Sequence, residues 1–150
     1  MRQIFWEILL KLADRYRSEA EQCLVSGSYV AGLVSVRAAL ETVFTARYLL
    51  ELFEWSEEEL SEYGFRVDEE RGLVEGVSLP CLKDLIDQAY TDRIITKAGR
   101  DAAHRIREWG NKIHPARIAD QGRLPQIGRR NLQARLRDLD LVIDQLTRAL

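Results

Sequence analysis

The chain is poor in the residues that end helices, cross-link chains or bind metals. Its 150 residues include only three prolines, nine glycines, two cysteines and two histidines. Because proline and glycine are the strongest helix breakers, their scarcity leaves room for long helices. Cys23 and Cys81 lie far apart without a Cys-x-x-Cys motif or a nearby histidine, so both are predicted to be reduced core residues. No metal site and no cofactor are expected.

A long uninterrupted apolar run is also lacking. Residues 1–11 are partly apolar but contain Glu7 and Lys11, which argues against a secretory signal of sufficient length. No run approaches the roughly 18 apolar residues that a membrane span requires. The protein is therefore predicted to be cytoplasmic and to have no membrane partner. With 46% hydrophobic and 31% charged residues, the chain is predicted to fold as one domain, residues 1–150.

The formal net charge of −2 hides an uneven distribution of charge along the chain. Residues 1–92 carry 9 Lys and Arg against 18 Asp and Glu, whereas residues 93–137 carry 12 against 3. If the basic segment forms one surface, it would attract an anionic partner such as nucleic acid. The alternative is that the two segments neutralise each other within the fold.

Apolar residues recur at helical spacing along most of the chain, which predicts an all-α helical bundle. Helix two is apolar around most of its circumference, as expected for the buried centre of a bundle. Residues 53–78 break the pattern and are expected to form an insertion. It begins with a short acidic helix that Ser56 caps and Gly64 ends, and continues as a small hairpin or irregular segment. About five substantial helices are predicted, at residues 4–26, 28–52, 80–90, 96–114 and 128–150.

The segment of residues 96–115 separates into three faces when it is wound as a helix. One face is apolar and one is charged with both signs. The third carries polar residues at spacings of four, three, four and three, so their side chains stack along one edge. This polar edge consists of Arg100, His104, Arg107, Asn111 and His114. Because Pro115 disfavours a helical residue before it, the helix is expected to end near His114, where the macrodipole would favour the protonated imidazole.

The polar edge has two interpretations that spacing alone leaves open. An arginine binds phosphate as a planar fork and a histidine moves protons near neutral pH, which together suit phosphodiester chemistry. The edge could equally be the polar border of a bundle helix, with His114 capping carbonyls and Asn111 bonded to a loop. Residues 116–128 have the same ambiguity, since this predicted basic loop could clamp a phosphate backbone or be a plain solvated connection.

Two charged residues interrupt the apolar surface of helix two. Arg37 and Glu41 are one turn apart, and charges among apolar neighbours are costly unless they are paired. They either form a structural ion pair with each other, or Glu41 reaches the polar edge and orients Arg107 or His114.

Two segments in this order resemble the HEPN superfamily. Residues 37–41, Arg-Ala-Ala-Leu-Glu, precede residues 106–114, Ile-Arg-Glu-Trp-Gly-Asn-Lys-Ile-His, which contain an Arg-x6-His motif. HEPN domains are α-helical, and many are metal-independent endoribonucleases. The chain most resembles, over roughly residues 24–116, an uncharacterised subgroup found with restriction and other prokaryotic defence systems.

The resemblance implies an RNA-binding domain, with a homodimer in which the arginine–histidine edges face each other. Expected catalytic residues are Arg107, His114 and Asn111. Expected supporting residues are Glu41, Arg37 and His104, and expected RNA contacts are Arg100, Lys112 and Arg117. The alternative is a non-catalytic interaction or nucleotide-binding module that assembles with a partner protein of a defence system.

Overall fold

The computed structural model describes residues 3–62, 66–68, 73–75 and 79–148. Within these ranges the chain forms seven α-helices and one pair of short strands. The strands β1 (Arg66–Asp68) and β2 (Leu73–Glu75) are antiparallel, with Val67 opposite Val74. The helices are α1 (Gln3–Ser26), α2 (Tyr29–Glu54), α3 (Glu57–Glu62), α4 (Leu82–Thr91), α5 (Lys97–Lys112), α6 (Pro115–Gln121) and α7 (Arg129–Thr147).

The predicted helical bundle is confirmed, but the described residues contain seven helices rather than five. One extra helix is α3, the short acidic helix of the sequence pattern. Its start is a capping box, because the Glu59 amide donates to Ser56 Oγ at 3.2 Å and the Ser56 amide donates to Glu59 Oε2 at 2.7 Å. Gly64, the predicted end of this helix, lies outside the described residues.

The second extra helix is α6, which lies where residues 116–128 were predicted to form a loop. Pro115 occupies its first turn, where the fixed φ of proline suits a helix. Gly122 ends it in the left-handed conformation with φ 64°, which glycine adopts at little cost. The loop prediction is therefore wrong for this part of the chain. The connection between Gly122 and α7 is not helical.

α2 is the central helix, packing against α1, α4, α5 and α7. Leu33, Val36 and Leu40 are completely buried on its inner side, whereas Val30 and Val34 are 48% and 53% exposed. The prediction of burial thus holds for one side of the helix only. By length and composition alone, Tyr29–Leu52 with a mean hydropathy of 1.2 could cross a membrane, but the core helix of a soluble protein passes the same test.

α5 is held firmly against the rest of the bundle. Ala102 and Ile106 are completely buried on its apolar face. On the neighbouring face Arg105 donates to both carboxylate oxygens of Asp138 on α7, at 3.1 and 2.8 Å. Its first turn is capped by Thr96, whose hydroxyl accepts from the Gly99 amide at 3.2 Å. The backbone that carries the α5 side chains of the polar edge is therefore held in a defined position.

The two cysteines are both free. Cys23 is half-buried and packs against the hydrophobic core. Cys81 is exposed just before α4, so the prediction of a core residue is wrong there. It occupies the N-cap position of α4, where the backbone is extended.

Candidate functional site

The polar edge is divided between two helices. Arg100, His104, Arg107 and Asn111 lie on α5, which ends at Lys112. His114 lies beyond this end and is the N-cap residue of α6. The helix thus ends near His114, as predicted, but His114 itself belongs to the start of the next helix rather than to the C-terminus of α5. Pro115 explains the difference, because it breaks α5 and at once begins the next helix.

His114 is exposed and caps α6 through its side chain. Its Nδ1 accepts a hydrogen bond from the Ala116 amide at 3.3 Å. An Nδ1 that accepts this bond carries no proton, so the neutral imidazole holds its proton on Nε2. The nearest helix end is the positive one, and the macrodipole argument for a protonated imidazole no longer applies.

Arg107 is held by a chain of hydrogen bonds that leads to α4. Its Nε donates to His104 Nδ1 at 3.2 Å, and His104 Nε2 lies 2.8 Å from Asp87 Oδ1. A guanidinium can only donate, so Nδ1 of His104 must accept and Nε2 must carry the proton that is shared with Asp87. Arg107 therefore has a defined orientation, with its side chain 20% exposed.

Asp87 was missed by the sequence analysis. It lies on α4, 17 residues before His104, and no motif contains both. His104 lowers the pKa of the Asp87 carboxyl below its usual range through its hydrogen bond and, when the ring is protonated, through its charge. Partial burial opposes this shift, and the positive charges of Lys83 and Arg100 add to it. The sequence offered one indication of such a residue, because a histidine at the border of an apolar helix face is expected to need a hydrogen-bond partner.

Arg37 joins α2 to α5 at the centre of the polar edge. One terminal nitrogen, Nη1, donates to Asn111 Oδ1 at 2.7 Å and to the Arg107 carbonyl at 3.1 Å, while Nε donates to Glu41 Oε1 at 3.1 Å. Of the two interpretations of Arg37 and Glu41, the structure shows the ion pair. Glu41 is bonded to Arg37, and its side chain is 50% exposed.

The predicted RNA contacts fall into two groups. Arg100 stacks over the Tyr90 ring, with 4.4 Å between the guanidinium carbon and the ring centroid. Lys112 lies over the Trp109 ring at 3.8 Å, and together with Arg117 and Arg123 it lines an open cavity of about 510 Å³ between α5, α6 and the following loop. We call this cavity the basic pocket. Among the described residues that line it, none is acidic.

No metal site is formed by the part of the chain that the structure describes. Within residues 3–62, 66–68, 73–75 and 79–148, no three His, Cys, Asp or Glu side chains are grouped so that they could hold a metal ion. Asp87 and His104 are a pair, and Lys83 and Arg107 beside them are cations.

The fold and the site define an all-α helical bundle that presents an arginine–histidine edge beside a basic pocket. Neither a protein-family model, nor a curated protein, nor a solved structure matches the chain.

Proposed function

We propose that the protein is a HEPN-like RNA-binding domain that acts as a metal-independent endoribonuclease of a prokaryotic defence or toxin system. The observation that carries the proposal is the guanidinium of Arg107, which is oriented by its hydrogen bond to His104. Arg107 and Asn111 share one edge of α5, and the exposed His114 follows two residues after the end of this helix. Phosphodiester cleavage requires a permanently charged phosphate ligand and an imidazole that exchanges protons, and Arg107 and His114 provide these two groups. The reaction needs no cofactor.

In the proposed reaction the ribose 2′-oxygen attacks the adjacent phosphorus and the 5′-oxygen leaves. The 2′-hydroxyl loses its proton to a base and the leaving oxygen gains one from an acid, so the products are a 2′,3′-cyclic phosphate and a 5′-hydroxyl. His114 is the acid or the base. Arg107 stabilises the charge that develops on the phosphate oxygens, and preorganised donors of this kind contribute about 3–4 kcal/mol. Asn111 helps to position the phosphate.

In this mechanism, the hydrogen bond from the Ala116 amide to His114 Nδ1 exists only before the reaction begins. To accept a proton on Nε2, His114 must carry its own proton on Nδ1. To donate one from Nε2 it must be an imidazolium, which also has a proton on Nδ1. In either role Nδ1 no longer accepts from the Ala116 amide. His114→Asn is therefore a useful variant, because asparagine caps helices well and cannot exchange protons in this way.

The basic pocket is the proposed binding site for the RNA that flanks the reacting phosphate. Lys112, Arg117 and Arg123 supply positive charge. Lys112 and Arg117 lie two and three residues from His114 along the chain. Contacts of cationic side chains with phosphates are independent of sequence and weaken as salt rises. RNA affinity is therefore expected to depend strongly on ionic strength.

We also propose a homodimer formed through an exposed stripe of α2. The stripe consists of Val30, Val34, Arg37 and Glu41, which follow one another at spacings of four, three and four. Through Arg37 it borders the polar edge, because Arg37 donates to Asn111. In a two-fold dimer the same patch meets itself, so Arg37 and Glu41 of one copy face the opposite charges of the other.

A second candidate function is a non-catalytic module that binds a partner protein of a defence system. This alternative is favoured because residues of the two HEPN-like segments make contacts that stabilise the fold. Arg37 and Asn111 hold α2 against α5, and His114 caps α6. In this alternative the apolar residues of the α2 stripe contact the partner protein.

Cleavage of RNA in EDTA separates the two functions. We expect the purified protein to cleave total RNA in excess EDTA and to leave 2′,3′-cyclic phosphate ends. His114→Asn and Arg107→Ala should each reduce cleavage at least about a hundredfold, as removal of one transition-state donor does elsewhere. Arg15→Ala, which removes an exposed arginine from α1, is the matched control and should cleave like the wild type.

Circular dichroism must first show that the variants keep their helices. Cleavage that persists in both His114→Asn and Arg107→Ala, or its absence from the wild type, would contradict the ribonuclease proposal. The second candidate would then stand, and it predicts RNA-independent assembly with a protein partner.

A further inference from the structure

Three side chains from two helices form one continuous donor–acceptor chain that includes two residues of the polar edge. Asp87 on α4 is 2.8 Å from His104 Nε2, and His104 Nδ1 accepts from Arg107 Nε at 3.2 Å. The side chain of His104 is 20% exposed, so it is largely shielded from exchange with solvent. The two ring nitrogens are therefore both committed, one to each neighbour.

The order of donors in this chain permits one protonation state of the imidazole. Arg107 donates and Asp87 accepts, so a neutral ring with its proton on Nε2 satisfies both partners. An imidazolium carries a second proton on Nδ1, which would point at the Nε–H of Arg107. Two donors and two positive charges would then face each other, and the contact with Arg107 would be lost.

We propose that Asp87 is a positioning residue for Arg107 that acts through neutral His104, and that protonation of His104 releases the guanidinium. Asp87 fixes the ring orientation and tautomer of His104, in the way that a carboxylate orients a catalytic imidazole elsewhere. The chain thereby makes the orientation of Arg107 depend on pH. The consequence for RNA cleavage rests on the proposed function, whereas the geometry of the chain does not.

Charged groups of both helices surround the pair formed by Asp87 and His104. Arg107 lies on the adjacent turn of α5 and donates to His104. Lys83, which lies 4.0 Å from Asp87, and Arg100 on α5 both lower the pKa of the Asp87 carboxyl. On the other packed helices, Arg37 of α2 contacts the Arg107 carbonyl and Asp138 of α7 binds Arg105. On α5 itself, the Glu108 carboxylate lies 3.8 Å from Arg107 Nη2.

Nitrogen-15 NMR of the histidine rings tests the geometry without any activity. The chain has two histidines, so the His114→Asn variant leaves His104 as the only imidazole. At neutral pH we expect the tautomer with its proton on Nε2, and a shift of the Arg107 Nε–H signal as His104 takes up a proton. A neutral ring with its proton on Nδ1, or an Arg107 Nε–H chemical shift that does not change as His104 takes up a proton, would overturn the proposal.

Kinetics test the consequence. Asp87→Ala is expected to reduce kcat for RNA cleavage about tenfold with KM changed less than about twofold. The reason is that a displaced guanidinium weakens the stabilisation of the transition state more than the binding of the substrate. Asp84→Ala removes an exposed carboxylate one turn earlier on α4 and should match the wild type. Equal kcat values for wild type and Asp87→Ala would show that Asp87 does not position Arg107.

The pH profile distinguishes positioning from a purely structural role. His104→Gln keeps an amide donor for Asp87 and an oxygen acceptor for Arg107 but does not titrate, so it should retain more activity than His104→Ala at neutral pH. Between about pH 8 and 5, where histidines ordinarily titrate, its activity should fall less steeply than that of the wild type. Identical acid limbs in the two proteins would contradict the proposal. If the wild type cleaves no RNA, the proposed function fails and the NMR result alone decides the geometry.

Discussion

One guanidinium explains why glycine and asparagine follow each other near the end of α5. The side chain of Arg37 crosses α5 at Gly110, where an added Cβ would lie 2.4 Å from Arg37 Cδ and 2.8 Å from Nη1. Asn111 then supplies the oxygen that accepts from Nη1 at 2.7 Å. The pair thus makes room for an arginine from α2 and binds it. Gly110 and Asn111 therefore hold α2 against α5, which is a structural role independent of any catalytic one.

A double-mutant cycle measures this coupling. Gly110→Ala is expected to lower the free energy of unfolding by about 1–3 kcal/mol, the usual cost of forcing atoms into a filled site. In the Arg37→Ala background the same change should be neutral or stabilising by up to about 1 kcal/mol, because alanine favours a helix over glycine. Urea unfolding of the four proteins gives the interaction energy. An equal cost in both backgrounds would show that Arg37 is not the reason for the glycine.

At the scale of helices, the apolar periodicity predicted the long helices. It failed where a single residue determines that a helix begins or that two helices make a contact. The apolar repeats of residues 4–26 and 128–150 indicated α1 and α7 to within a few residues. α6 was missed because it has no buried residue and hence no apolar stripe; its start depends on Pro115 and on the cap from His114. Asp87 was missed for a related reason, since its role comes from contact between α4 and α5 rather than from spacing along one helix.

The exposed stripe of α2 provides the prediction for a helix surface. Val34→Glu places a charge where the proposed dimer buries Val34 and should convert a dimer into a monomer with its helices intact. Ile8→Glu is the matched control, because Ile8 on α1 has the same 53% exposure as Val34. Sedimentation equilibrium at micromolar concentration measures the mass of each protein. A wild type that is monomeric, or a Val34→Glu variant that still dimerises, would contradict the proposed interface.

Across the whole molecule, the ion pairs show how the uneven charge of the sequence is used. Among the described residues, the contact between a basic and an acidic side chain that joins the basic segment 93–137 to the acidic segment 1–92 is the hydrogen bond between His104 and Asp87, in which the imidazole is neutral. Arg105 and Arg135 of the basic segment both pair with Asp138, outside either segment. Mutual neutralisation of the two segments through ion pairs is therefore slight. The cations of the basic pocket remain at the surface, since Lys112, Arg117 and Arg123 are all exposed.

The salt dependence of RNA binding tests whether this surface is the binding site. In the His114→Asn background, which prevents cleavage, we expect the affinity for a single-stranded RNA to fall linearly with salt on logarithmic axes. Arg117→Ala with Arg123→Ala should reduce the slope by about 1.4, since each phosphate contact on a single strand contributes about 0.7. Fluorescence anisotropy between about 50 and 200 mM salt measures both quantities.

The matched control for this measurement removes the same charge from another surface. Lys11→Ala with Arg15→Ala takes two exposed cations from α1 and should leave the slope within about 0.3 of the parent, because neither residue lines the pocket. Equal losses of slope in the two double variants would mean that RNA responds to net charge alone. A smaller slope only in the pocket variant would instead show that two phosphates are neutralised at the basic pocket.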